Sequence, residues 1–239
     1  MDEEPHIVGA GRTDAGVHAF GQVVHVDLPV KIFSRHRGPD PERLALSLNK
    51  QLRGRVRVTR ALVVSDEFDA RHSALWREYR YLVLESVVPA LALTDTWSWS
   101  VAGPLDLAAM QRATDQVLGT HDFRAFCRRP TNSEPGEALL RRVLDARWER
   151  LDDDWAMSPG NAPVVRLTIR GQSFCHNMVR CLTSTLVAIG QGRLPESTVI
   201  ERLSSKQRDQ LPAPAPAAGL CLTGVGYDQF AGGPSGFVR

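Results

Sequence analysis

The order of the predicted strands and helices most constrains how this chain can fold. Residues 140–151 and 164–170 have the patterning of two strands on either side of a turn-rich stretch, 152–163, which predicts an antiparallel pair. Elsewhere strands and helices alternate without the regular spacing of strand–helix–strand units. We therefore predict an α+β fold with antiparallel sheet, and we place a domain boundary near Asp66.

The remaining predicted elements come from apolar periodicity and from helix-capping residues. Asp40 and Asp106 are acidic residues placed to cap helices, and Pro41 occupies a first helical position. Further helices are predicted from Ser173 and Pro195, and further strands at residues 22–28, 55–64, 77–85 and 220–227. The predicted domains are an N-terminal α+β domain (1–66), a C-terminal α+β domain (67–228) and a flexible tail (229–239).

The composition excludes several classes of protein. Hydrophobic residues make up 43% and charged residues 23%, as in ordinary globular domains. No apolar run is long enough for a membrane span, and the N-terminus does not resemble a signal peptide. None of the four cysteines forms a C-x-x-C pair, so no zinc site is predicted. We interpret the cysteines as reduced thiols in a cytoplasmic protein.

The predominance of arginine among the basic residues is more informative than the net charge, which is only +2. Of the 29 basic residues, all but Lys31, Lys50 and Lys206 are arginine. Arginine presents a planar fork that binds phosphate and stacks on bases. A nucleic-acid partner and a simple bias of the genome toward arginine codons both account for this composition.

The segment Gly9–Ala19 carries the most chemical information. Three glycines surround Arg12 and Asp14, and a neighbouring arginine favours the ionised form of a carboxylate. The third glycine is misplaced for a dinucleotide-binding loop, no helix is predicted to follow, and the lysine of a phosphate-binding loop is missing. On these residues alone Asp14 is either a turn former or an ionised carboxylate available as a nucleophile, and the turn former is the simpler interpretation.

Four motifs occur in one order along nearly the whole chain. They are GRTDAGVHA (Gly11–Ala19), FDARHSA with REYRY (Phe68–Ala74 and Arg77–Tyr81), GQSF with MVR (Gly171–Phe174 and Met178–Arg180), and APA through GL (Ala213–Ala215 and Gly219–Leu220). Together they resemble the motifs of TruA-type tRNA pseudouridine synthases.

The resemblance implies a two-domain α+β pseudouridine synthase fold with a cleft, and neither a metal nor an organic cofactor. Asp14 is then the catalytic aspartate and Arg12 its basic neighbour. Tyr79 stacks on the target uracil, Arg180 pairs with the aspartate, and Leu220 forms an apolar wall of the pocket. These roles, carried over from the family, are expectations for the structure.

The resemblance also implies the substrate and the partners. It predicts an isomerase that converts uridine to pseudouridine in the anticodon stem-loop, at uridines 38–40 of tRNA. A homodimer is implied in the same way. Arg71 and Arg77, together with Arg12, are candidates to neutralise RNA phosphates.

Each candidate residue also has a simpler structural interpretation. Tyr79 and Leu220 suit a hydrophobic core. Arg180 suits a surface near a helix start, although a cation there is unfavourable unless a carboxylate faces it. We interpret His18 and His72 as structural or RNA-facing groups without a role in proton transfer.

Relative to that family, only ten residues precede Gly11, where an opening strand and a helical segment are expected. The missing segment would supply sheet pairing and part of an RNA-binding surface. A non-catalytic RNA-binding remnant is therefore the alternative function. A glycoside hydrolase ranks last, because no partner carboxylate for Asp14 is evident.

Overall fold

The structure is a computed structural model that describes residues 5–28, 40–86, 92–128, 134, 136–151, 162–209 and 211–228. The tail predicted at 229–239 and most of the predicted turn at 152–163 lie outside these residues.

Nine strands and four α-helices lie in the described residues. The strands are β1 (Ile7–Gly9), β2 (His18–Ala19), β3 (Val24–Val26), β4 (Ala74–Glu85), β5 (Trp99–Val101), β6 (Gly119–Asp122), β7 (Leu140–Leu151), β8 (Val164–Gly171) and β9 (Leu220–Tyr227). The helices are α1 (Pro41–Leu52), α2 (Leu107–Asp115), α3 (Met178–Gly190) and α4 (Thr198–Ser205).

Seven of these strands form one sheet in the order β2-β9-β4-β8-β7-β6, with β5 added beside β4. The pairs β4–β8, β8–β7 and β7–β6 are antiparallel, whereas β2–β9 and β4–β5 are parallel. The α+β prediction is confirmed, and so is the antiparallel pair predicted from residues 140–151 and 164–170.

Helix α3 forms the centre of the core and carries one of the candidate residues. Its sequence is apolar or small on nearly every side, which is typical of a helix buried all round. Every residue from Met178 to Gly190 is buried except Arg180. The helix therefore holds Arg180 at its only partly open position.

Two predicted elements differ from the structure for local reasons. No strand forms at residues 55–64, because the Asn49 side chain hydrogen-bonds both the carbonyl and the N–H of Val58. Its Nδ2 donates to the Val58 oxygen at 2.9 Å, and its Oδ1 accepts from the Val58 N–H at 2.7 Å. The helix predicted from Ser173 begins only at Met178, since Asn177 has a φ of 64° that a right-handed helix excludes. The strand predicted at 22–28 is shorter, at Val24–Val26.

Contacts divide the described residues into two compact units. One comprises those of Met1–Gly11, Val23–Leu75 and Gly226–Arg239, and the other those of Arg12–Gln22 and Trp76–Val225. The boundary near Asp66 stays a prediction.

The smaller unit is organised around the second motif. β1 and β3 pair antiparallel. The N–H of Ala70 donates to Nδ1 of His25 at 2.9 Å, and its carbonyl accepts from the Tyr227 hydroxyl at 2.7 Å. Three segments distant in sequence are thereby tied to one residue.

The cysteines differ from the prediction of four reduced thiols. Cys127 and Cys175 form a disulfide with Cα atoms 5.8 Å apart, because the segment before α3 returns beside the turn at Arg124–Phe126. Cys181 and Cys221 are free thiols, and burial raises the pKa of both. None of the described helices is long and apolar enough to cross a membrane.

Candidate active site

Asp14 occupies the first position of a tight turn. The N–H of Val17 donates to the Asp14 carbonyl at 3.0 Å, and Gly16, the third residue of the turn, has a φ of 84°. A type II turn requires such a positive φ at its third residue, which explains the glycine in the first motif. Strand β2 follows at once and pairs His18 with Cys221 on β9, which anchors the turn to the large sheet.

The Asp14 carboxylate is contacted through both oxygens. Nη1 of Arg180 donates to Oδ2 at 3.0 Å, and Nε2 of His176 lies 3.2 Å from Oδ1. The side chain of Asp14 remains 33% exposed. The structure thus holds a carboxylate between a cation and an imidazole while leaving part of it open to a substrate.

Arg180 joins this carboxylate to the closing motif. Its Nε donates to the Ala215 carbonyl at 2.7 Å and its Nη1 also donates to Oδ1 of Asn177 at 3.0 Å. The N–H of Ala215 returns a bond to the Arg180 carbonyl at 3.1 Å. Only Nη1 of Arg180 donates to Asp14, because Nε donates to the main chain. The pair therefore lacks the bidentate geometry typical of arginine and carboxylate.

Tyr79 lies on β4 and is largely buried, with 8% of its surface exposed. Its ring meets that of Phe174 edge to face, with centroids 5.3 Å apart. Burial raises the pKa of the Tyr79 hydroxyl to about 12, with Arg77 lowering it and the charge of Asp14 raising it further. The hydroxyl is therefore protonated at neutral pH and lies in the electrostatic field of Asp14.

Leu220 begins β9 and is buried beneath a tightly packed turn. The Tyr81 hydroxyl donates to the Pro216 carbonyl at 2.7 Å. A Cβ added at Gly219 would lie 2.6 Å from the Tyr81 ring, so the backbone approaches as only glycine allows. The closing motif thus packs directly on the strand that carries Tyr79.

The three arginines predicted to contact RNA occupy different environments. Arg12 is exposed beside the turn that carries Asp14. Arg77 is only 8% exposed, and its Nη1 donates to the Gln172 carbonyl at 2.7 Å, a placement that suits support of the site better than contact with phosphate. Arg71 is exposed in the smaller unit, where its N–H donates to Oδ1 of Asp69 at 2.7 Å. Phosphate contact by all three stays a prediction.

Sequence reasoning missed His176 and Asn177. Neither was assigned a role, because a helix from Ser173 would have placed both within ordinary helical turns. The left-handed backbone of Asn177 instead turns its side chain to Arg180. His18, left without a proton-transfer role, has its Nε2 2.6 Å from the Thr96 carbonyl oxygen.

Comparisons with known proteins all point to one family. A family model described as tRNA pseudouridine synthase matches residues 113–228. The chain is 36% identical to tRNA pseudouridine synthase A of Cutibacterium acnes over 227 residues, covering 95% of this chain and 75% of the relative. It is 38% identical to the protein of that name from Methylorubrum populi over 228 residues, covering 95% and 84%.

The matches to relatives cover most of this chain and most of each relative. The protein of the same name from Streptomyces griseus is 38% identical over 218 residues, covering 91% of this chain and 71% of the relative. The chain belongs to the tRNA pseudouridine synthase family.

The aromatic ring of Tyr79 and its hydroxyl can be tested separately. We expect Tyr79→Phe to retain most of the activity, because the ring and its contact with Phe174 remain. We expect Tyr79→Leu to lose much more, since stacking a base on an aromatic ring contributes about 1–3 kcal/mol. Rates at saturating tRNA measure the difference, with thermal unfolding as the control for the lost packing. Equal losses would assign the role to the hydroxyl.

Proposed function

We propose that this protein converts uridine to pseudouridine in the anticodon arm of tRNA, with Asp14 as the catalytic residue. The observation that carries the proposal is the half-open Asp14 carboxylate, bound by Arg180 and His176 at the centre of the family's motifs. Membership of the tRNA pseudouridine synthase family supports the reaction and its RNA substrate.

The reaction is an isomerisation, so its atoms balance without a redox partner. The bond from ribose C1′ to uracil N1 breaks, the base turns, and C1′ bonds to C5. The hydrogen on C5 leaves as a proton, and N1 gains one. The Asp14 carboxylate can act as a nucleophile or as a base, and three first steps are open to it: attack on C1′, attack on uracil C6, or removal of a ribose proton.

We assign roles to three further side chains, to Arg180 from its contacts and to Tyr79 and Leu220 from the resemblance. Arg180 fixes Oδ2 of Asp14 and links it to the Ala215 main chain. Tyr79 supplies an aromatic ring for a base that has left its stack, and Leu220 supplies apolar surface. Flipping the base costs a few kcal/mol, which stacking on Tyr79 partly offsets.

The exposed arginines predict that the affinity for tRNA depends on salt concentration. We expect tRNA affinity to fall as salt rises, because phosphate contacts release counterions. Arg12→Gln or Arg71→Gln should each reduce the slope of log affinity against log salt by about 0.7–0.9. The matched control is Arg112→Gln, whose arginine is exposed but paired with Glu196 at 2.6 Å. Affinity that is insensitive to salt would argue against an RNA partner.

A cytoplasmic location is expected from reduced cysteines, of which only Cys181 and Cys221 are free; we propose it because the substrate is tRNA. A homodimer is proposed from the resemblance. A cytoplasmic protein would meet tRNA during its maturation. A homodimer would offer two copies of the Asp14 site, and sedimentation of the purified protein with and without tRNA measures its assembly.

The function is tested by incubating the purified protein with unmodified tRNA transcripts and mapping pseudouridine at each uridine. We expect new pseudouridine in the anticodon stem-loop, at uridines 38–40. Transcripts in which those uridines are replaced by cytidine serve as the matched control and should stay unmodified. Binding without modification would instead support an RNA-binding remnant.

A further inference from the structure

The contact between His176 and Oδ1 of Asp14 has no assigned role in the proposed reaction. We propose that His176 is a positioning residue that sets the plane of the Asp14 carboxylate by holding Oδ1 while Arg180 holds Oδ2. This inference deepens the proposed function and rests on it. It starts from the 3.2 Å separation between Nε2 of His176 and Oδ1 of Asp14.

One contact cannot fix a carboxylate. The terminal torsion of an aspartate side chain is broad and roughly two-fold, so the carboxylate can rotate about its last bond while Oδ2 stays near one donor. A ring nitrogen 3.2 Å from the other oxygen restricts that rotation when it carries a proton. Arg180 and His176 approach the two different oxygens, at 3.0 and 3.2 Å, and therefore define the plane together.

The main chain around His176 is held independently of its ring. The carbonyl of His176 accepts from the N–H of Arg128 at 2.9 Å. Cys175, immediately before it, is bound to Cys127, and the side chain of Asn177, immediately after it, makes no capping bond but accepts from Nη1 of Arg180 through Oδ1. The backbone thus presents the imidazole to Asp14 from a fixed position.

The ring itself is open to solvent. The His176 side chain is 45% exposed, against 19% for Arg180. Removing the ring leaves the backbone bonds in place and uncovers little core. Variants of His176 therefore report on the contact with Asp14 rather than on folding.

Orientation matters because the reacting oxygen must meet one atom of a base or ribose. Losing a residue that orients a group in contact with substrate slows chemistry without changing substrate affinity, since the remaining contacts to tRNA are the same. For the loss of one short polar contact to a charged group, we expect a loss of about 10- to 100-fold in rate.

The experiment compares three substitutions of His176 in the full chain, using single-turnover rates at saturating tRNA and separate measurements of tRNA affinity. His176→Gln places an amide N–H near the position of Nε2, His176→Asn is too short to reach it, and His176→Leu has no donor. We expect Gln to retain most of the rate, and Asn and Leu to lose about 10- to 100-fold, with unchanged affinity. The matched control is His121→Leu, which removes a half-buried histidine outside the site whose Nε2 lies 2.8 Å from a main-chain oxygen, that of Leu118.

The outcomes separate this inference from the function on which it rests. An inactive wild-type protein overturns both. An active wild-type protein with equal rates in the Gln, Asn and Leu variants overturns only the role of His176. A loss confined to tRNA affinity does the same, because it would make His176 a binding contact. Should the Leu variant fail to fold, the comparison of Gln with Asn decides, since both are polar and differ only in reach.

Discussion

Asp14→Asn is expected to reduce pseudouridine formation by more than about a hundredfold, because removal of an essential covalent group normally costs several orders of magnitude. The substitution keeps the size of the side chain and removes its ionisable oxygen. The remaining amide oxygen can still accept from Nη1 of Arg180, which is 3.0 Å from Oδ2 in the native protein. Single-turnover rates on an unmodified transcript measure the loss.

Binding of tRNA is the control for this variant. Asp14 is one partly exposed carboxylate, and its removal takes away no cation that could contact phosphate. We therefore expect affinity to be preserved or slightly increased. A variant that retained more than about a hundredth of the native rate would remove Asp14 from the chemistry.

Arg180→Met is expected to have the second-largest effect, in both rate and stability. It removes the donor to Oδ2 of Asp14, and the Ala215 carbonyl and the Asn177 side chain lose their donor at the same time. A group left unsatisfied costs about 1–3 kcal/mol when buried. Because Asp14 is 33% exposed, we expect the loss of stability from its unpaired carboxylate to be smaller than for a fully buried pair. Arg180→Lys should restore charge near Asp14 without the planar fork that also reaches Ala215.

A double variant isolates the ion pair from the other bonds of Arg180. Arg180→Met and the double variant Arg180→Met, Asp14→Leu both lose the bonds to Ala215 and Asn177. They differ at position 14, where leucine replaces the orphaned carboxylate together with its contact to His176. We expect the double variant to unfold at a higher temperature than Arg180→Met alone. Strict additivity of the single effects would show that the two side chains are not energetically coupled.

Elements with strong local signals could be predicted from sequence. The Asp40 and Asp106 side chains each accept from the N–H three residues on, at 2.9 Å, so both helix starts follow from capping. The paired strands β7 and β8 follow from their patterning. The strand predicted at 55–64 failed because of side-chain to main-chain bonds between Asn49 and Val58, which periodicity does not report. The start of α3 was wrong because of the left-handed backbone of Asn177.

The candidate site, too, could be predicted only in part from the sequence. The motifs marked Asp14, Tyr79 and Arg180, but only the fold shows that one guanidinium nitrogen serves both Asp14 and Asn177. His176 could not be found from spacing, since its contact joins residues that are distant in sequence and depends on the left-handed backbone of Asn177.

Release of the C5 hydrogen tests the central claim most directly. Every uridine that becomes a pseudouridine must lose that hydrogen, so tRNA transcribed with uridine tritiated at C5 reports the reaction as tritium in water. Isomerisation by Asp14 predicts that the native protein releases tritium in proportion to the anticodon-arm uridines, and that Asp14→Asn binds the same tRNA without release. Release by Asp14→Asn at the native rate, or none from a native protein that binds tRNA, would contradict it.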